Sequence, residues 1–170
     1  MIKKILMMVL AGALLFNIGC VNDHIPIGWL SCNMGGEPYM TVWGFWTDNL
    51  EPHVDDEDTG VVVVGRNFGG VEFSFGVHGP FEEKTYAFSS PADNDTTKAY
   101  SEFMKSTPGE GYTDIYLSLS GTLTITSKTN RLKGVFNLTM EGIKGDDTGK
   151  TIEVTNGIFD LPHLDAYRPI

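Results

Sequence analysis

Basic residues are scarce in this chain, and histidine and cysteine are scarcer still. Lys and Arg together number 12 against 22 Asp and Glu, with four His and two Cys. The resulting formal charge of −10 repels phosphate backbones, which argues against nucleic acid as a partner. It also gives an anionic membrane surface nothing to attract. Catalytic signatures are missing too: there is no Gly-x-Ser-x-Gly, no His-Glu-x-x-His and no phosphate-binding loop. The stretch Gly65–Gly70 is glycine-rich but sits between two strand patterns, without the helix N-terminus that phosphate binding uses. His24, His53, His78 and His163 stand singly, at no spacing that brings imidazoles together, and read as surface or loop residues. No catalytic residue, metal set or cofactor is therefore assigned. Acidic residues are so common that their presence points to no particular carboxylate pair drawn from distant strands.

What is present begins at the N-terminus. Lys3 and Lys4 precede an uncharged apolar run from Ile5 to Phe16, shorter than the roughly 20 residues a helix needs to cross a bilayer. Asn17-Ile18-Gly19-Cys20 then resembles a lipobox, with a small residue before the cysteine and Asn17 departing from the usual apolar entry. Cleavage before Cys20 and lipid on its thiol are expected, as for a bacterial exported lipoprotein on the outer membrane. The competing reading is a secreted protein with a Cys20–Cys32 disulfide, which an oxidising compartment permits. With Cys20 lipidated, Cys32 is left as a buried small hydrophobe. Loss of residues 1–19 removes Lys3 and Lys4 and no acid, leaving ten basic against 22 acidic residues, a charge of −12. The lipid is then the only membrane attachment, and a bacterial lipoprotein cysteine carries enough acyl chain to make it stable.

The expected organisation is a signal peptide over 1–19, a lipidated cysteine and tether over 20–35, an all-β domain over 36–162 and a tail over 163–170. Tyr39–Trp46 is aromatic and β-branched, and Thr47–Gly60 is an acidic loop. Val61–Val64 and Val71–Val77 flank the glycine-rich turn as a hairpin. In the second strand Val71, Phe73, Phe75 and Val77 alternate with Glu72, Ser74 and Gly76, so one face is expected buried and the other wet. Residues 97–105 fit a helix and a strand equally. Thr122–Thr126 alternates, a turn follows at Lys128–Arg131, and Leu132, Gly134, Phe136, Leu138 and Met140 share a face. Thr151–Thr155 is a strand, and Asn156-Gly157 begins the last one. About seven to nine short strands with little helix predict an antiparallel β-sandwich or flattened meander barrel.

Three segments carry a family resemblance: Leu119–Thr126, Leu132–Leu138 and Ile152–Leu161, with Gly36-Glu-Pro-Tyr39 before the first strand. Together they resemble an uncharacterised lipoprotein domain family, widespread in Bacteroidota, whose members have no assigned activity. The likeness is tight over 119–161 and loose over 32–118. Its residues are glycine, threonine and apolar positions, so it implies strand packing and an envelope location.

Two groups invite chemistry. Asp55, Asp56 and Asp58 could offer oxygens to Ca²⁺, but counted from Asp56 the twelfth position is Asn67, where an EF-hand loop requires Glu. A solvated acidic loop is the plainer reading. Trp29, Tyr39, Trp43 and Trp46, with Phe45, could stack on sugar rings. As strand residues, Tyr39, Trp43 and Phe45 would share a face with Trp46 opposite, and most would serve the core. Trp29 is the one expected at the surface. The expected function is a non-catalytic envelope module that binds a protein or glycan partner. The alternatives are a barrel-type carrier of a lipid or small hydrophobe and, behind it, a small hydrolase. Substituting Cys20→Ala is expected to move the protein from the membrane pellet to the soluble fraction. Intact mass should show acyl chains on the wild-type protein, and an unmodified Cys20 would overturn the assignment.

Overall fold

Side chains along a strand point alternately to opposite faces, so a strand with one buried face writes its orientation into its sequence. In β9 (Arg131–Lys144) the pattern is nearly unbroken: Leu132, Gly134, Phe136, Leu138 and Met140 are buried, and Lys133, Val135 and Asn137 between them are exposed. The computed structural model describes residues 28–41, 43–47, 61–67, 70–77, 79–93, 95, 97–107 and 110–163. The other strands are β1 (Trp29–Met34), β2 (Glu37–Met40), β3 (Trp43–Thr47), β4 (Val61–Arg66), β5 (Val71–Val77), β6 (Thr85–Ala87), β7 (Ala99–Thr107), β8 (Gly111–Lys128) and β10 (Thr151–Pro162). A short 3₁₀ turn at Pro91–Asp93 is the one helical element among the described residues.

All the strand pairs are antiparallel and form one sheet in the order β2-β1-β10-β9-β8-β7-β5-β4-β3. Hairpins join β7 through β10 as a meander. β8 is long enough to pair with β7 along its first half and with β6 along its second. The sheet rolls until its ends meet. Among the described residues no continuous ladder closes it; the seam has one parallel bridge, Trp46 to His163, beside Gly28, whose backbone packs against Gly44. Thr41 leads from one end of the sheet toward the other: its N–H and hydroxyl both donate to the Leu30 carbonyl, and its hydroxyl accepts the Leu30 N–H.

The core fills the roll with aromatic rings. Phe73 stacks on Phe136 at 5.3 Å and Phe75 packs on Phe159 at 4.9 Å, so β5 touches β9 and β10 across the interior. Glycine makes room for these rings. Gly157 faces Phe136 and Gly134 faces Phe159 in alternate register pairs, with Ile158 and Val135 paired between them. A methyl at Gly157 would lie 2.6 Å from the Phe136 ring, and one at Gly134 would lie 2.5 Å from Phe159 Cζ. Each ring covers the bare backbone of its partner strand.

Several sequence expectations change. Ten strands form where about seven to nine were expected, because β1 escapes the pattern and the segment Tyr39–Trp46 divides between β2 and β3. β1 lies in the segment read as tether, yet Leu30 and Cys32 are buried in the core. An inward residue at every second position is a strand signal too short to see beside Pro26 and Gly28. Residues 99–107 are a strand. Asn156-Gly157 interrupts no strand: β10 runs through it, with a bulge and Asn156 at φ 55°, its N–H donating to Asn137 Oδ1. Glu72 and Ser74, on the face of β5 expected wet, are buried as well.

Truncating Phe136→Ala should cost about 3–5 kcal/mol of unfolding free energy, since it removes ring contacts to three neighbours at once. The adjacent Val135→Ala, facing outward, should change stability by about 0.5 kcal/mol or less. Urea unfolding of the two variants checks the register of β9.

Candidate functional site

The strand registers place an unusual set of apolar side chains on the outer face. Ser31 pairs with Met40 on β2 and with Ile158 on β10; Ile158 pairs with Val135 on β9, and Val135 with Thr124 on β8. All lie opposite the core side chains of their strands, so Met40, Ile158 and Val135 form one lateral row. Their exposures are 63%, 44% and 44%. Trp29, also exposed, stands one pleat along from Ser31. It pairs with Asp160, which holds Arg131 and Lys133 in ion pairs at the border of the row. Partial burial pushes the Asp160 carboxyl up, but the hydrogen bonds and charges of Arg131 and Lys133 together outweigh it and hold the group below its usual value.

The four aromatics singled out in the sequence divide. Trp29 is exposed as expected, but from within a strand. Tyr39 is buried, its hydroxyl donating to the Val71 carbonyl across the interior at 3.3 Å. Trp43 is exposed and stacks on half-buried Phe45, ring centroids 5.9 Å apart and 8° from parallel. Trp46 is buried, edge-on to His163 at 4.2 Å, with Lys128 over its ring. Tyr39 and Trp43 thus face opposite ways, contrary to the expected shared face. The chain leaves the β1 ladder after Thr41 and joins the β4 ladder at Trp43, and that passage shifts the alternation by one residue. Met40, Val135 and Ile158 were missed; their one signal is an apolar residue at a position whose neighbours in the alternation should be wet.

Cys20, Asp55, Asp56 and Asp58 lie outside the described residues, as do His24, His53 and His78. Cys32 is a free, buried thiol whose pKa burial pushes up to about 12, so it is neither a thiolate nucleophile nor a ready metal ligand. Among the described residues no group of three or more His, Cys, Asp or Glu converges as a metal site. At the end of the roll where β8 begins, Lys105, Tyr116 and Asp147 meet, with the Tyr116 hydroxyl donating to Asp147 Oδ2 at 2.5 Å. Burial, then the bond to Asp147, hold the Tyr116 hydroxyl above its usual range. The far end is packed with Phe81, Tyr86 and Phe88, all buried.

One pair of acids is set apart. Glu102 on β7 and Glu72 on β5 lie on the same outer face, diagonal across adjacent strands. Glu72 is buried, and the Glu102 carboxyl is raised, first by burial and then by the charge of Glu72. A raised folded-state pKa means that the folded protein holds the proton to higher pH than the unfolded chain. Stability is therefore full at low pH and is lost as the pH rises from about 4, the ordinary glutamate range, through the folded value. Glu102→Gln should raise the melting temperature at neutral pH, leave it nearly unchanged at about pH 4, and flatten the pH dependence between. An equal shift at both pH values would mean the carboxylate carries no folding penalty.

No protein-family model, curated protein or solved structure matches the chain.

Proposed function

We propose that this protein is a non-catalytic lipoprotein of the bacterial envelope, of the Bacteroidota domain family it resembles, and that its β-domain is a docking module for a protein partner. The observation that carries the reading is the exposed row of Met40, Ile158 and Val135, with Trp29 beside it. Solvent gives such side chains no reason to collect in register on four adjacent strands, whereas a protein interface does. Interface centres favour Trp and Met and are poor in charge, and the Asp160–Arg131–Lys133 cluster supplies the polar border such patches have. The Cys20 lipid would hold the domain at the membrane, leaving this face to find its partner by diffusion in two dimensions.

A second reading, glycan binding, is favoured by the exposed Trp43 and its parallel stack on Phe45, since aromatic surfaces suit the apolar faces of sugar rings. The carrier reading is weakened by the phenylalanines that occupy the interior where a lipid chain would lie.

A photo-cross-linking side chain placed at Ile158 in cells should yield one discrete protein adduct. The same probe at Thr126, exposed on β8 outside the row, should yield none. Trp29→Ala combined with Ile158→Asp should abolish the adduct formed from a probe at Met40 without lowering the melting temperature by more than a few degrees. Equal labelling from all positions, or none from any, would overturn the docking face.

A further inference from the structure

β7 aims a lysine at the inside of the roll. Ser101 and Phe103 are buried on its inner face, and Lys105 is the next residue in the same alternation, half-buried at the open end. Its Nζ lies 5.5 Å from the Tyr116 ring centre and 5.9 Å from that of Phe103. Among the described residues no carboxylate comes within 4.0 Å of it. Asp114 is its register partner on β8, and Asp147, whose carboxyl feels its charge, is committed elsewhere: Oδ2 accepts the Tyr116 hydroxyl and Oδ1 accepts Lys150 Nζ at 2.7 Å. The lysine charge beside it helps hold Asp147 ionised, after the hydrogen bonds from Lys150 and Tyr116.

These groups border a cleft of about 330 Å³, and its walls are mainly the apolar parts of Met34, Tyr39, Phe103, Tyr116 and Ile152. That volume is at the small end of the range for ligand sites, and the composition is theirs too: an apolar hollow with one or two placed polar groups. A half-desolvated ammonium facing aromatic rings recovers part of its lost hydration through their negative faces. An anion would recover more. If Lys105 were there only to cap the core with its methylene stem, its charge would have no bearing on what enters the cleft.

We propose that this open end is a binding site for a small amphipathic anion: a carboxylate set against Lys105 Nζ, with a short apolar body in the hollow beyond it. Glu37 lines the same cleft and carries the opposing sign. It disfavours dianions and orients a monoanion head toward Lys105. The site is independent of the outer docking row, which lies on the other face of the sheet.

The test is titration of the purified full chain with octanoate and, in parallel, with neutral octanol, followed through the backbone amides of Lys105, Tyr116 and Ile152. Octanoate should bind about tenfold more tightly than octanol, the worth of one charge-assisted contact. Lys105→Met, which keeps the stem and removes the charge, should erase that preference. Lys105→Arg should keep it, and Glu37→Gln should tighten octanoate alone. Equal affinity for both probes, perturbations away from the open end, or no binding to millimolar concentration would each overturn the proposal. The wild-type comparison decides even where a variant fails to fold.

Discussion

Everything in this domain hangs on phenylalanine rings meeting across the inside of the roll. Phe73 and Phe75 from β5 reach Phe136 and Phe159 on β9 and β10, strands that are remote in the sheet order. A rolled sheet whose ladder, among the described residues, is not continuous at the seam needs some other force to keep its walls together. Ring burial supplies it, because each phenylalanine removes a large apolar area from water and adds edge or face contacts to its neighbours. The glycines opposite the rings belong to the same device. A side chain at residue 134 or 157 would push a ring into the middle of the roll and part the walls.

That way of filling the interior settles what is left for function. A barrel with small inward residues would enclose a cavity; here aromatic rings take the central space, and the far end is plugged by Phe81, Tyr86 and Phe88. Binding is then left to two places, the outer face and the open end near Tyr116. The outer face is unusual in carrying valine, isoleucine, methionine and tryptophan where strands of this kind carry threonine, as β8 and β6 do at Thr124 and Thr85. The open end is unusual in turning a lysine inward. Both depart from the plain hydrophobic-in, polar-out pattern, and both do so on strands that otherwise follow it.

The same contrast explains what could be read from the sequence. β9 and the second half of β8 were legible because their alternation is regular and a short turn fixes their register. The all-β class followed from them. β1 was not legible: six residues after Pro26 and Gly28 give too short a pattern. The orientation of Trp43 was lost at a single residue, where the chain passes from one ladder to another, since one inserted position reverses every later side chain. Tyr39 and Trp46 were named as aromatics of interest and prove to be core, while Trp29 and Trp43 are at the surface. The cross-strand row of Met40, Ile158 and Val135 needs three strand registers at once, which no single segment encodes. Lys105 carried a signal, an inward position in a strand, but residues 97–105 fitted a helix as well and the parity could not be assigned.

The two ends of the roll also differ in what they can tolerate, and this bears on how such a domain could acquire a ligand. Toward the far end the Tyr86 hydroxyl accepts the Glu82 N–H at 2.7 Å, and midway along β8 Ser118 donates to the Ser89 carbonyl at 2.5 Å. Substitution there would orphan a buried donor or acceptor, at about 1–3 kcal/mol each. At the open end the chain runs from the buried Tyr116 hydroxyl through Asp147 to exposed Lys150, so its outer member can be exchanged without leaving a buried group unsatisfied. The fold can therefore vary the chemistry of its open end while the aromatic interior and the far end stay fixed. Change is cheapest where the lysine already breaks the pattern, and that is where a binding specificity would be written.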